Sequence, residues 1–468
     1  MAIDWSTSGL DLHLDRDPGQ PRWSGLAGAI RTAVRDGRLL AGTRLPPTRA
    51  LAADLGLARG TVTRAYEELA AEGYLRTRQG AGTVVALLPE PVAATTPRTP
   101  AVPLPTRWTL RPGRPDVSVF PTTRWLAAAR RALAGASAAD FDYGDPFGHP
   151  RLRATLAGYL GRTRGVVAPP DRIVVCAGYT QGLALLATVL RERGATRFAF
   201  EEPSLTMFRE VVRATGLDTV GVDVDEHGLR VADLPADGAP ELGAVVVTPA
   251  HQFPLGHTLH PHRRAALVEY AHRTGTLIIE DDYDGEFRFD RQPVGALQAL
   301  APDRVAYAGT ASKTLAPGLR LGWLVLPSWL VEPAREAHLA LGRHPAVGVV
   351  DQLTLAEFIG SGDYDQHIRR CRVRYRRRRD RLLGALREAG RPLPAGIAAG
   401  LHVLLPLEPG RTEADLARAV ARESVEVEML GDCWTTPGPH PPGVIVGYAA
   451  PPDHAFGPAV RALLAALR

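Results

Sequence analysis

Residues 87–105 read LLPEPVAATTPRTPAVPLP and carry six prolines. Proline fixes φ and has no amide hydrogen to donate, so this stretch forms neither a regular helix nor a central strand and runs extended and semi-rigid. One continuous fold across it is excluded. Two unlike pieces are expected on either side of a linker: residues 1–86, the linker over 87–110, and a larger piece over 111–468. With 45% hydrophobic and 22% charged residues, the chain has the composition of packed domains rather than disorder.

In the first piece, apolar residues recur at helical spacing from Trp23 to Asp36, with Leu26, Ile30 and Val34 on one face. Pro46 and Pro47 break the chain. Thr48 is placed to cap a second helix that carries Leu51, Ala52 and Leu55 and ends at Gly56. A third helix from Arg59 to Glu72 has Val62, Tyr66 and Leu69 as its inner face, and Gly73 stops it. Residues 74–78 and 82–85 then read as two short strands around a glycine-rich turn. This is the element order of a winged helix-turn-helix. The third helix opens with Arg59, Thr61, Thr63 and Arg64, at the end where a recognition helix meets base edges; Arg78 and the turn fall near a phosphate or the minor groove. Ten arginines against five acids between Arg22 and Ala86 give a net charge of +5. That favours a polyanionic partner over the competing reading, a small helical protein-interaction module.

The larger piece alternates apolar strands (172–176, 197–200, 244–248, 276–280, 304–308 and 322–326) with helices such as 183–193 and 263–273. Such alternation predicts a mainly parallel sheet covered on both faces, with ligands gathered at the strand C-terminal ends. At one such end stands Lys313, the single lysine beside 54 arginines. Lysine can lose its proton and act as an amine nucleophile, whereas arginine stays charged. A surface remnant in an arginine-rich chain is the alternative. At another strand end, Glu280, Asp281, Asp282, Tyr283 and Asp284 follow one another. A metal site is one reading of these carboxylates, but no histidine is near in sequence and neighbours on extended chain point to opposite faces. A carboxylate there can pair a protonated pyridine nitrogen, and a tyrosine hydroxyl can bond a phenolic oxygen. Gly178-Tyr179-Thr180 opens a helix, and Thr310, Ser312 and Arg320 supply hydroxyls and a guanidinium for a phosphate. An amine for an aldehyde, a carboxylate for a ring nitrogen and a phosphate cup together describe pyridoxal 5′-phosphate.

Several of these runs resemble known families. Residues 45–56 (LPPTRALAADLG), 58–69 (ARGTVTRAYEEL) and 80–83 (GAGT) resemble the GntR-type winged helices. That resemblance implies DNA contacts from Arg49, Arg59, Thr61 and Thr63, with Gln79 and Gly80 at the wing tip. Residues 143–153 (YGDPFGHPRLR), 248–256 (TPAHQFPLG), 279–289 (IEDDYDGEFRF) and 309–322 (GTASKTLAPGLRLG) resemble the fold-type I aminotransferases. They most resemble the MocR/GabR-type regulators, which fuse the two domains in this order. The resemblance implies an α/β fold of aminotransferase type with a smaller C-terminal α+β subdomain, acting as a homodimer. It implies that Lys313 forms the Schiff base, Asp281 pairs the pyridine nitrogen and Tyr283 bonds the ring hydroxyl. Thr310, Ser312, Arg320, Tyr179 and Thr180 would hold the phosphate, and Tyr143 that of the neighbouring subunit.

The chain departs from the pattern in places. Ser204 and Leu205 stand where the family carries glycine and a ring-stacking tyrosine. Met207 stands where the GABA-responsive member carries a carboxylate-binding arginine, and residues 443–449 (GVIVGYA) supply no arginine for a substrate α-carboxylate. Arg209 is the one nearby substitute. Residues 369–380 (RRCRVRYRRRRD) read either as a solvated helix face or as an added DNA-phosphate surface. Cys176, Cys371 and Cys433 are far apart and argue against a zinc site or disulfide framework, and no long uncharged apolar run occurs. The expectation is a cytoplasmic transcriptional regulator that binds an operator through its winged helix. It would sense pyridoxal 5′-phosphate itself, as in the vitamin B6-sensing (PdxR-like) subgroup, or an amine or amino-acid effector. A working aminotransferase that carries a DNA-binding domain, and a cofactor-free DNA-binding dimer, are the alternatives.

Overall fold

The computed structural model describes residues 21–78, 82–87, 107–236, 241–289, 294–340, 347–394 and 396–468. The chain divides into two compact units, residues 1–102 and 103–468. The first contains α1 (Arg22–Arg35), α2 (Thr48–Asp54), α3 (Arg59–Ala71), β1 (Leu75–Arg78) and β2 (Gly82–Val85). Leu26, Ile30, Leu51, Val62, Tyr66 and Leu69 close one core between the three helices. Each such fully buried side chain contributes about 1.5–3 kcal/mol of transfer free energy. Thr48 differs from its expected role. It is the first helical residue, Pro47 is the cap, and no side chain caps this end. The wing has a third member that the sequence pattern does not show. Arg44 bridges Val84, and Leu45 N donates to Thr83 O at 2.9 Å, so the segment before α2 lies alongside the β1–β2 hairpin.

The second unit opens with β3 (Trp108–Thr109), α4 (Thr122–Ala134) and α5 (Pro150–Arg164). It continues through β4 (Ile173–Cys176), α6 (Tyr179–Glu192), β5 (Arg197–Glu202), α7 (Thr206–Ala214), β6 (Asp218–Asp225), β7 (Gly228–Leu229) and β8 (Leu242–Val247). Next come α8 (Pro261–Thr274), β9 (Leu277–Asp282), β10 (Val305–Thr310), β11 (Gly322–Val325), α9 (Ser328–Ala340), α10 (Val349–Gly360) and α11 (Asp363–Glu388). The chain closes with β12 (His402–Pro406), α12 (Glu413–Arg422), β13 (Val425–Glu426), β14 (Glu428–Met429), β15 (Gly443–Gly447) and α13 (Asp453–Ala466).

Eight strands form one sheet in the order β4-β11-β10-β9-β8-β5-β6-β7. The pairs β10–β9, β9–β8, β8–β5 and β5–β6 are parallel, while β11 runs antiparallel to both neighbours. Side chains alternate between the faces. Val174 and Cys176 pack with Leu183, Leu186 and Leu330 on one side; Ile173 and Val175 pack with Leu156, Leu160 and Leu355 on the other. Both faces being covered, the strands read as unbroken apolar runs. A smaller antiparallel sheet, β12-β15-β14, shares a separate core with α11, α12 and α13. Residues 107–110, placed in the linker by composition, belong to this smaller core. Trp108 and Thr109 pair with Val425 and Glu426, and Leu110 is fully buried. Residues 88–106 lie outside the described residues.

Candidate functional site

The C-terminal ends of β9 and β10, the turn before β11 and the start of α6 converge on Lys313. Its Nζ donates to the carbonyl of Gly113 at 2.6 Å. Burial holds the ammonium below its ordinary pKa, opposed by Asp281 and Asp284 and assisted by Arg114. Burial thus eases the loss of the proton that nucleophilic attack by the amine requires. Gly113 lies 200 residues away in sequence, and no local pattern there points to the lysine. Its only signal was a Pro-Gly turn.

Alternation along β9 sorts the carboxylates. Glu280 accepts from the backbone amides of Leu297 and Gln298, and burial raises its pKa to about 7. Asp282 sits on the same face and forms a buried pair with Arg164 at 2.6 Å, with the hydroxyl of Tyr307 at 2.8 Å. Asp281 points the other way. It accepts no hydrogen bond among the described residues, and burial pushes its carboxyl well above the usual range, with Lys313 opposing and Asp282, Asp284 and Glu201 reinforcing. A cationic ring nitrogen is what such a group lacks. Tyr283 donates to the carbonyl of His251 at 3.1 Å, and His251 Nδ1 lies 2.8 Å from Asp284.

An anion cradle adjoins this group. Gly178, with φ +89°, precedes α6, whose first turn, containing Tyr179 and Thr180, has no side-chain cap. A Cβ on Gly178 would stand 3.2 Å from Nη2 of Arg320. Arg320 itself has φ +52° and donates to the carbonyl of Ala177 at 2.5 Å. A non-glycine residue in this region costs about 1–3 kcal/mol, which the fixed position of its guanidinium offsets. Thr310 Oγ1 is 2.9 Å from Ser312 Oγ and 3.1 Å from the Ser312 amide. The buried hydroxyl of Tyr179 has no hydrogen-bond partner among the described residues and lies within electrostatic reach of Asp281 and Glu201. An orphaned hydroxyl, a bare carboxylate, an uncapped helix start and a glycine-floored guanidinium fit a phosphorylated pyridine. Tyr143 is 69% exposed on the segment before α5.

The opposite wall is apolar. Leu205, Tyr283 and Leu404 pack on Phe253, Cys433 and Ile445, and Met207 is half exposed. Arg209 is not a free clamp. It is 1% exposed, pairs with Glu202, and donates to the carbonyl of Glu201 at 2.8 Å and to Thr435 at 2.7 Å. His402 is buried between His251 and Phe253 at ring separations of 5.0 and 4.9 Å. An isolated histidine at a strand start carries no spacing signal.

Glu201, within electrostatic reach of Asp281 and Tyr179, gives a pH test of the site. Its Oε2 accepts from Thr248 N at 3.1 Å and Thr248 Oγ1 at 2.5 Å, yet burial raises its pKa to about 7. A raised pKa contributes stability below the unfolded value that is lost as pH rises through the folded one. Glu201→Gln is therefore expected to lose roughly 1–3 kcal/mol less stability than wild type between pH 5 and 8. Denaturant titrations across that window check it; parallel curves for the two proteins contradict it.

In the first unit, Arg49, Arg59 and Arg64 are exposed and Thr61 and Thr63 are half-buried. Thr63 Oγ1 donates to the Arg59 carbonyl at 3.0 Å, and the guanidinium of Arg64 lies 4.4 Å from the Trp23 ring centroid. Gln79, Gly80 and the side chain of Arg78 fall outside the described residues. Among the described residues no group of histidine, cysteine, aspartate or glutamate is arranged to hold a metal, and no helix is long and apolar enough to cross a membrane.

A winged helix-turn-helix carried with a fold-type I aminotransferase unit defines a class of transcriptional regulator. Residues 24–85 match the family of bacterial regulatory proteins of the gntR type, and residues 114–432 match aminotransferase class I and II. The chain is 33% identical to the pyridoxine biosynthesis transcriptional regulator PdxR of Corynebacterium glutamicum, over 94% of this chain and 95% of that one. It is 36% identical to the probable rhizopine catabolism regulatory protein MocR of Rhizobium meliloti, over 78% and 77%. An archaeal alanine:glyoxylate aminotransferase of known structure superposes with a TM-score of 0.68, at 25% identity, over 76% of this chain and 89% of that one. The chain belongs to the MocR family of helix-turn-helix transcriptional regulators. The fold of its larger unit is that of a family that works with pyridoxal 5′-phosphate.

Proposed function

We propose that this regulator binds pyridoxal 5′-phosphate at Lys313 and that the bound cofactor, acting as effector, alters its affinity for an operator. The observation that carries the reading is a buried lone lysine within electrostatic reach of Asp281, which accepts no hydrogen bond among the described residues, beside the Gly178–Arg320 cradle. The cofactor, when bound, supplies an aldehyde able to condense reversibly with amines. Lys313 offers the amine, and the carbonyl of Gly113 orients it. Asp281 holds the ring nitrogen protonated, Tyr283 reaches the ring hydroxyl, and Thr310, Ser312, Arg320, Tyr179 and Thr180 bind the phosphate. The winged helix presents Arg49, Arg59, Thr61, Thr63 and Arg64 to DNA, and Arg78, Gln79 and Gly80 add to these contacts. The protein acts in the cytoplasm as a homodimer, in which Tyr143 faces the neighbouring subunit.

Sensing of the cofactor itself is favoured over turnover of amino acids. With Arg209 tied to Glu202 and Ile445 packed in the apolar wall, nothing described on this side clamps a substrate carboxylate. Poor anchoring removes the proximity advantage that catalysis needs. Electrophoretic shift of an operator duplex, selected by the protein from a random pool, tests this reading. Pyridoxal 5′-phosphate is expected to change the midpoint, and an unchanged midpoint across a wide titration overturns it. Asp281→Asn removes one charge-assisted hydrogen bond of about 1.5–3 kcal/mol. The cofactor is expected to bind roughly 10- to 150-fold more weakly to this variant in an absorption titration.

A further inference from the structure

The arginine run on α11 is unused by the site above. Residues 369–381 contain nine arginines and one acid, Asp380. Some serve the fold. Arg378 is buried and donates to Asp116 at 2.7 Å and Asp453 at 2.6 Å; Arg374 reaches Asp453 at 3.0 Å; Arg372 donates to the carbonyl of Glu286 at 2.9 Å. Others do not. Arg369, Arg370 and Arg377 are exposed and make no hydrogen bond or ion pair among the described residues.

Arg370, Arg374, Arg377 and Arg381 recur at i, i+4, i+7 and i+11, so they share one helix face over about 16 Å. They line a groove of about 590 Å³ whose single acid, Asp453, is already paired. Arg369 lies on the rim between this groove and a second depression of about 360 Å³ that Arg162 and Arg372 also line. The occupant must be anionic. It must also be extended and repetitive, because one small anion would neutralise one or two guanidinia and leave the others repelling. A duplex presents one charge per about 1.7 Å of axis, and each phosphate neutralised releases condensed counterions.

We propose that this face of α11 binds the phosphate backbone of duplex DNA, as a contact additional to the winged helix. The proposal rests on the DNA-binding reading of the first unit and requires no particular arrangement of the two units. It is tested by fluorescence anisotropy of full-length protein on a 40-base-pair duplex of arbitrary sequence, chosen as about four helical turns, with salt varied between 50 and 200 mM. The proteins compared are wild type, Arg369→Gln/Arg370→Gln/Arg377→Gln, and a winged-helix control, Arg49→Gln/Arg59→Gln. Loss of up to three phosphate contacts is expected to flatten the slope of log Kobs against log[salt] by about 2–3 and to weaken binding about 10- to 100-fold at low salt. Thermal melts should match wild type, since the three side chains are exposed and make no hydrogen bond or ion pair among the described residues. An unchanged slope in the triple variant, with a reduced slope in the winged-helix control, overturns the proposal alone and leaves an acidic protein as the occupant. A wild type that binds no duplex overturns the DNA-binding reading and this proposal with it.

Discussion

Lys313→Ala is expected to abolish the visible absorption that the wild-type protein acquires from pyridoxal 5′-phosphate and retains after desalting. The effect is all or none because no other lysine exists in the chain to substitute for it. The side chain is buried, its ammonium is held below the ordinary pKa by that burial, and the Gly113 carbonyl fixes Nζ at 2.6 Å. Lys313→Arg should fail as completely, because a guanidinium keeps its charge and does not condense with an aldehyde. The cradle around Gly178 and Arg320 is untouched by either change. Both variants should therefore still bind the cofactor weakly and lose it on desalting. A retained visible band in Lys313→Ala would assign the anchor elsewhere.

The second large effect concerns stability. Arg209→Met leaves Glu202 buried at 1% exposure without its cation. Breaking a buried pair from one side costs about 3–5 kcal/mol, whereas replacing both members by apolar or neutral groups costs far less. Arg209→Met should thus lower the denaturation midpoint sharply, and Glu202→Gln/Arg209→Met should recover most of the loss. Glu202 keeps donors of its own from the Thr435 and Thr436 backbone amides, which a glutamine can still accept. If Arg209→Met is as stable as wild type, the pair does not hold β5 and α7 together. Arg209 would then be available as a carboxylate clamp, and the case against amino-acid turnover would weaken.

What the sequence made legible follows from physical scale. Helical and strand periodicities, the Pro-rich break and the glycines at turns are local signals, and they mark α1, α3, α6, α8 and most strands of the large sheet. The lone lysine marks the site because arginine cannot do its chemistry. Long-range partners left no such mark. Gly113 meets Lys313 across 200 residues, Arg164 meets Asp282 across 118, and Arg209 looks free until Glu202 is seen beside it. The antiparallel β11 is hidden because a strand buried on both faces has the same apolar run in either direction. β13 and β14 are two residues each, too short for any period. Chemistry-bearing residues were readable by type, and their partners only by packing.

The central claim is that cofactor and operator bind the same protein with a coupling free energy. Linkage makes that coupling reciprocal. The most direct measurement is the affinity for pyridoxal 5′-phosphate, followed by its visible absorption, in free protein and in protein saturated with a selected operator duplex. The account predicts two different affinities, with a ratio equal to the ratio of operator affinities measured with and without cofactor, about 5- to 150-fold for typical couplings. Identical cofactor affinity in the presence and absence of DNA would contradict it and leave the larger unit without a regulatory role.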